Sequence, residues 1–198
     1  MVDDRTIAVY DARADEYAKM TASDKPDANL QAFIDVIPPG GHVLDLGCGP
    51  AAASAHMRNA GLVPHPIDAS LAMVALANKT YDIGAVVGTF DDVTGSAIYD
   101  GIWANFSLLH APRADLPRHL AALVEALKTG GTLHVALKTG DGSKRDSIDR
   151  LYTFLTVQEL QDLLTDSGLR VNFTTEGMDK ALAGTDDPWV LCRAIKEA

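Results

Sequence analysis

The residues whose types and spacing point most directly to chemistry lie in Val43-Leu44-Asp45-Leu46-Gly47-Cys48-Gly49-Pro50-Ala51-Ala52. An acid sits inside an apolar run, two glycines follow, and an alanine-rich helical pattern comes next. That order predicts a buried strand, a tight turn and a helix N-terminus. Gly47 and Gly49 let the backbone turn sharply and let a ligand approach without meeting a Cβ. Asp45, at the end of a buried strand, must meet a cation or hydrogen-bond donors, because desolvating an unpaired carboxylate is costly. A ligand carrying an ammonium group or hydroxyls meets that need. The turn reads as a nucleoside site.

Further candidates stand at the ends of later apolar runs, where open parallel sheets bind their ligands. They are Asp68, Asp91 and the segment Asn105 to His110. Asp68 has the position of an acid that holds a ribose diol in doubly wound folds; by itself it could also be a surface acid flanking a helix. Two ligand classes compete. A nicotinamide dinucleotide needs a bare backbone and a positive helix end for its pyrophosphate, and Gly47-Cys48-Gly49-Pro50-Ala51-Ala52 can be forced onto G-x-G-x-x-A. Asp45 would repel that pyrophosphate. S-adenosylmethionine has no phosphate and carries an ammonium group, so the methyl donor is the better match.

The elements that must position these residues alternate along the chain. Strands are expected at 42–46, 62–68, 83–87, 98–104 and 132–137, then at 170–175 and 190–195 in an antiparallel finish. Helices are expected at 51–60, at 70–77 with Ser70 near the start, and at 116–128 with Gly130-Gly131 as the stop. Another begins at Thr156, whose spacing to Glu159 matches a capping box. Residues 3–20 and 27–36 carry helical patterns before Pro38-Pro39-Gly40-Gly41. The pattern is an α/β sheet with helices on both faces.

Composition narrows the function classes. The 198 residues suit a single domain with a sizeable core. A net charge of -10 disfavours a nucleic-acid partner, which needs a basic face to grip phosphates. No apolar run is long enough to cross a bilayer, and the acidic start Met1-Val2-Asp3-Asp4-Arg5 lacks the layout of a signal peptide. Cys48 and Cys192 read as buried free thiols in a reducing compartment. A cytoplasmic protein acting on small molecules is the expectation.

From about residue 5 onward, the chain resembles the class I S-adenosylmethionine-dependent methyltransferases, nearest to small bacterial tellurite-resistance-type and related small-molecule enzymes. Val43 to Pro50 is similar to the first motif of that family, and Ile67-Asp68-Ala69-Ser70-Leu71-Ala72-Met73 to its ribose motif. Tyr99-Asp100-Gly101-Ile102-Trp103 with Ser107-Leu108-Leu109-His110 resembles the fourth-strand block, and Leu127-Lys128-Thr129-Gly130-Gly131-Thr132-Leu133 the block before the fifth strand. Ala51 departs from the pattern where many members have a third glycine.

The resemblance implies a Rossmann-like, doubly wound, seven-stranded sheet, mostly parallel with an antiparallel last strand. It implies one methyltransferase domain over 1–198, with residues 1–40 as a helical lid and 41–198 as the core. By position, Asp45, Gly47 and Gly49 would face the donor's amino-acid part, and Asp68, followed by Ala69, the ribose. Phe90 and Asp91 would bracket the adenine, Asn105 and Phe106 would lie beside the sulfonium, and Tyr10 and Tyr17 sit where the N-terminal helix closes over the donor. Tyr10 and Tyr17 could equally be ordinary helix packing.

Methyl transfer needs the nucleophile held in line with the methyl in a closed pocket, and a base when the acceptor carries a proton. His110 is the best base candidate; it could also be structural, with its ring capping Ala111-Pro112. Lys138, Arg150 and Tyr152 bracket the acceptor side, where the cations could hold an anion. Arg150 could instead pair with Asp146 or Asp149. No metal-ligand spacing is visible. The expectation is a methyltransferase for a small molecule, with S-adenosylhomocysteine as product. Rival readings are a protein or peptide methyltransferase on the same fold, a non-catalytic donor-binding module, and a nicotinamide dehydrogenase.

Overall fold

The computed structural model describes residues 3–197; Met1 and Val2 of the acidic start lie outside the described residues. Three helices come first: α1 (Asp4–Ala12), α2 (Ala14–Thr21) and α3 (Ala28–Ile34). The predicted helix over 3–20 breaks at Arg13, whose backbone leaves the helical region. Asp3 caps α1 by accepting from the Thr6 N–H, and Asp27 caps α3.

The core then alternates: β1 (His42–Leu46), α4 (Ala52–Asn59), β2 (Val63–Asp68), α5 (Leu71–Tyr81), β3 (Val86–Val87), β4 (Tyr99–Asn105), α6 (Leu116–Ala126) and β5 (Leu127–Lys138). A hairpin of β6 (Ser143–Arg145) and β7 (Leu151–Thr153) follows, then α7 (Val157–Asp166), β8 (Leu169–Lys180) and β9 (Asp186–Lys196). Seven strands form one sheet in the order β3-β2-β1-β4-β5-β9-β8. β9 runs antiparallel to both of its neighbours, and the other pairings are parallel. This is the Rossmann-like sheet expected, with the last strand reversed.

Ser70 caps α5 and Thr156 forms the capping box with Glu159, as the spacing predicts. Several boundaries differ: β3 is cut to Val86–Val87, and the final hairpin runs further than expected, with β8 reaching Lys180 and β9 starting at Asp186. The helix expected to run to Lys128 stops at Ala126, because Leu127 pairs with Tyr99 and so belongs to β5; Gly130 and Gly131 fall within that strand's irregular start. The polar segment after β5 folds into the β6–β7 hairpin, which pairs in an antiparallel register from Ser143 and Thr153 to Arg145 and Leu151.

The main core packs β1, β4, β5 and β9 against α6 and α7, with Leu44, Ile102, Leu123, Leu127 and Leu133 almost wholly buried. A second cluster packs Phe33, Ile37, Met57 and Trp103 on the opposite face. Both faces of the central strands are therefore covered. That burial leaves the carboxyl ends of β1, β2 and β4 as the place where polar groups converge.

Candidate active site

The polar groups gather where β1, β2 and β4 end. Gly47 leaves β1 with a positive φ, and a Cβ there would stand 2.4 Å from the Cβ of Ser107, so only glycine fits beneath that residue. The turn runs through Gly49 to Ala51, which adopts the left-handed conformation at φ 61° before α4 starts. Asp68, ending β2, accepts from the Gly49 N–H and the Ser70 N–H, each at 2.8 Å. It thereby ties the glycine turn to the start of α5. Asp45 is 2% exposed and accepts from the Ser54 hydroxyl at 2.6 Å.

Neither acid has a basic partner among the described residues. Burial raises both: Asp45 to about 7, with Asp68 adding to the rise and Ser54 opposing it, and Asp68 upward despite its two backbone N–H partners. One buried and one half-buried carboxylate without a cation make a site that gains from a positively charged ligand.

Two cavities meet here. The first holds about 670 Å³ of space and is lined by Tyr10, Tyr17, Asp68, Ala69, Phe90 and Ser107, among others. The Ser107 hydroxyl, deeply buried, has no hydrogen-bond partner. The second, about 1810 Å³ counted out to its mouth, takes in Asp45, Trp103, Lys138, Arg150, Tyr152 and Trp189. Tyr10, Tyr17, Gly47, Gly49, Asn105, Phe106 and His110 line both. Asp91 lines neither; its carboxylate turns to Arg118, while Phe90 beside it faces the first cavity.

At the junction a polar chain crosses from α1 to the hairpin. The Tyr10 hydroxyl is 2.9 Å from His110 Nε2 and accepts from Arg150 Nη1 at 3.0 Å. His110 Nδ1 is 2.8 Å from the Leu151 carbonyl, so Nδ1 carries the proton and Nε2 accepts from Tyr10. Burial holds the His110 pKa down at about 4, with Arg150 and Lys138 contributing. The imidazole is neutral, and its partner is the Leu151 carbonyl rather than the Ala111-Pro112 turn.

The two cations on the acceptor side are already paired. Arg150, 2% exposed, binds Asp146 through Nε and Nη2. Lys138 pairs with Asp187 and stands 3.9 Å from the centre of the Tyr152 ring. Asp146 was legible as an Arg150 partner; Asp187 was not, because it reaches Lys138 from the far end of the β8–β9 hairpin. The sequence reading missed Leu30 and Leu182, which wall the second cavity from α3 and from that hairpin; Trp189, which from sequence reads as core or rim packing, lines it too.

Residues 43–131, just under half of the chain, match the model of a methyltransferase domain. No curated protein matches the chain in sequence. Solved structures share its fold. A methyltransferase in complex with the Trm112 activator of Haloferax volcanii is 21% identical, with 98% of each chain covered and a TM-score of 0.76. A S-adenosylmethionine-dependent methyltransferase from Methanosarcina mazei is 16% identical, covering 87% of this chain and 99% of that one, with a TM-score of 0.76. The 1,6-didemethyltoxoflavin-N1-methyltransferase of Burkholderia thailandensis, solved with S-adenosylhomocysteine, is 17% identical, covering 98% and 88%, with a TM-score of 0.74.

The residues present fit S-adenosylmethionine. Two uncompensated carboxylates match a cationic ligand with hydroxyls, an unpartnered serine hydroxyl awaits a hydrogen bond, and the Gly47 turn passes where a side chain would not fit. The match to a methyltransferase domain over residues 43–131 falls on the strands and turns that build this site, from β1 to the start of β5.

Proposed function

We propose that this chain methylates a small molecule held in the second cavity, with Tyr10 and His110 handling the proton that the acceptor gives up. The observation that carries the reading is the pair of adjoining cavities, which share Tyr10, Asn105, Phe106 and His110 at their junction. In this reading Asp68 with Ala69 holds the ribose, Phe90 packs on the adenine, Tyr17 closes over the glycine turn, and Asp45 takes the ammonium group. The bound donor supplies an activated methyl group on a sulfonium.

The chain's own residues then orient the acceptor and accept its proton. Six aromatic side chains line the second cavity: Tyr10, Tyr17, Trp103, Phe106, Tyr152 and Trp189. They exclude water and favour an acceptor with apolar area. The acceptor's proton passes to the Tyr10 oxygen as the Tyr10 proton passes to His110 Nε2. His110 becomes an imidazolium donating through Nδ1 to Leu151, and Arg150 keeps Tyr10 aligned throughout. Protonating the buried His110 would leave the positive charge of the site unchanged, since a sulfonium donor would give up its own charge on methyl transfer.

Lys138 and Arg150, neutralised by Asp187 and Asp146, act in this reading as scaffolding for Tyr152 and Tyr10 rather than as bare anion binders. No helix among the described residues is long and apolar enough to cross a membrane, and a cytoplasmic location remains part of the proposal. The test is S-adenosylhomocysteine formation from the protein with S-adenosylmethionine and a small-molecule extract, a protein extract or RNA in separate reactions. Turnover confined to the small-molecule fraction supports the reading, and turnover confined to protein or RNA overturns it. Once an acceptor is in hand, Tyr10→Phe should lower kcat by about 10²-fold or more, and equal rates at every pH would remove Tyr10 from the relay.

A further inference from the structure

His134 is a buried titratable group that the mechanism above does not use. It is fully buried on β5 and stacks on Trp103 with ring centroids 3.6 Å apart. Its Nε2 lies 3.0 Å from Asn105 Oδ1, while its Nδ1 has no hydrogen-bond partner. Burial keeps the ring neutral, and the charge of Arg193, its opposite number on β9, acts in the same direction. One ring nitrogen therefore carries a proton and the other a lone pair.

The choice between them fixes the Asn105 amide. A proton on Nδ1 would leave a buried N–H without an acceptor in the field of Arg193, a rarer and costlier state than an unused lone pair. The proton therefore sits on Nε2 and is donated to Asn105 Oδ1. Asn105 is left with its NH2 group as the end it can offer to a ligand, and Asn105 lines both cavities.

Register places that NH2 group relative to Asp45. Asp45 on β1 stands opposite Trp103 on β4, and Trp103 opposite His134 on β5. The three side chains share one face of the sheet, and Asn105, two residues beyond Trp103, shares it too. Strands about 4.8 Å apart and about 6.6 Å for two residues along a strand set the Asp45 and Asn105 backbones roughly 8 Å apart. An acceptor-only carboxylate and a donor-only amide thus flank one end of the same cavity. The donor's amino-acid end carries the complementary pair, an ammonium and a carboxylate on one carbon. Among the described basic side chains of this cavity, Arg150 and Lys138 are engaged by aspartates, and Lys25 and Lys180 are exposed.

We propose that the Asn105 amide recognises the carboxylate of the donor's amino-acid end, and that His134 is the positioning residue that keeps its NH2 group turned toward that carboxylate. The inference rests on the proposed seating of the nucleoside in the first cavity and of the ammonium at Asp45.

Calorimetry separates the two. Three ligands are titrated: S-adenosylhomocysteine, S-adenosyl-3-thiopropylamine (the same molecule without its carboxylate) and 5′-methylthioadenosine, which has neither charge. The wild type should prefer S-adenosylhomocysteine over the decarboxylated compound by about tenfold, the size expected of a hydrogen bond to a charged group. Asn105→Ala and His134→Leu should bring that ratio toward one, while His134→Gln, which keeps an N–H donor, should retain most of it. Asn105→Asp should invert the preference. Affinity for 5′-methylthioadenosine should stay unchanged in all four variants, which a collapse of the core would not allow. An unaltered ratio in Asn105→Ala or Asn105→Asp, with 5′-methylthioadenosine still bound, would overturn the carboxylate contact and leave the nucleoside site standing. Failure of the wild type to bind 5′-methylthioadenosine would instead overturn the seating on which the inference rests.

Discussion

At the scale of single residues, Asp45 gives the sharpest expectation. Its folded pKa of about 7 lies above the value of 3.8 for an ordinary aspartate, because burial penalises the charged form. The folded protein therefore holds this proton more tightly than the unfolded chain. The resulting stabilisation is complete below about pH 4 and is lost as pH rises through 7. Binding an ammonium group reverses the preference and expels the proton. S-adenosylhomocysteine affinity should accordingly rise from pH 5.5 to about 7.5 and then level, with proton release visible as a buffer-dependent calorimetric enthalpy. Asp45→Asn should flatten that dependence; a profile that stays steep in the variant would point to another group. Ala51 is the neighbouring strain. A non-glycine residue at φ 61° costs about 1 kcal/mol or more, so Ala51→Gly should raise the thermal midpoint by a few degrees or leave it unchanged. The glycine turn and its acids were legible because a carboxylate inside a buried run demands a partner. The His134 contact to Asn105 was not, since only the β4–β5 register brings together residues 29 positions apart.

Among the elements, α1 stands out because its ties are polar rather than apolar. Asp3 receives two hydrogen bonds from Arg145, Arg5 meets Asp149, and the Thr6 hydroxyl accepts from the Leu151 N–H at 2.8 Å. Asp11 on the same helix accepts from the Ser70 hydroxyl and the Ala72 N–H at the start of α5. α1 thus bridges the β6–β7 hairpin and α5, with Thr6, Ile7 and Tyr10 forming one wall of the first cavity. Partly exposed ion pairs are each worth about 1 kcal/mol or less, so this wall can open at modest cost. On the proposal that residues 1–40 act as a lid, Arg145→Ala should speed S-adenosylhomocysteine dissociation several-fold in stopped-flow, with little change in the thermal midpoint. An unchanged off-rate with a lower midpoint would make the contact structural only. The sequence reading recovered each strand and helix that a period or a cap announces, including α5 and α7. It overran α6 because Leu127 satisfies the helical period and the strand equally, and it read β6–β7 as loop because three-residue strands leave no periodic signal. The reach of the β8–β9 hairpin over the second cavity went unseen, since periodicity says nothing about how far a hairpin extends beyond its sheet.

For the molecule as a whole, charge decides what can approach. The chain carries 17 basic and 27 acidic residues, for a net charge of -10. A protein that grips phosphates replaces condensed counterions with its own cations, and its affinity for duplex DNA falls with salt at a logarithmic slope of about -0.9 per phosphate contacted. Here the buried cations of the second cavity, Lys138 and Arg150, are committed, while Lys25 and Lys180 on its lining are exposed. Lys138 is paired with Asp187, Arg150 with Asp146, and Arg145 with Asp3. A polyanion would have to displace those aspartates as well as overcome the net repulsion. Labelled single-stranded RNA and duplex DNA should therefore give no anisotropy change at low salt, where exposed charges act over the longest range. The acids of the proposed donor site are buried (Asp45) or half-buried (Asp68) and little screened, so affinity for S-adenosylhomocysteine should persist across the same salt series. An anisotropy rise that fades with salt would reveal a basic track on the surface and move the acceptor from a small molecule to a nucleic acid. Silence from both polymers, beside intact donor binding, keeps the chemistry inside the second cavity.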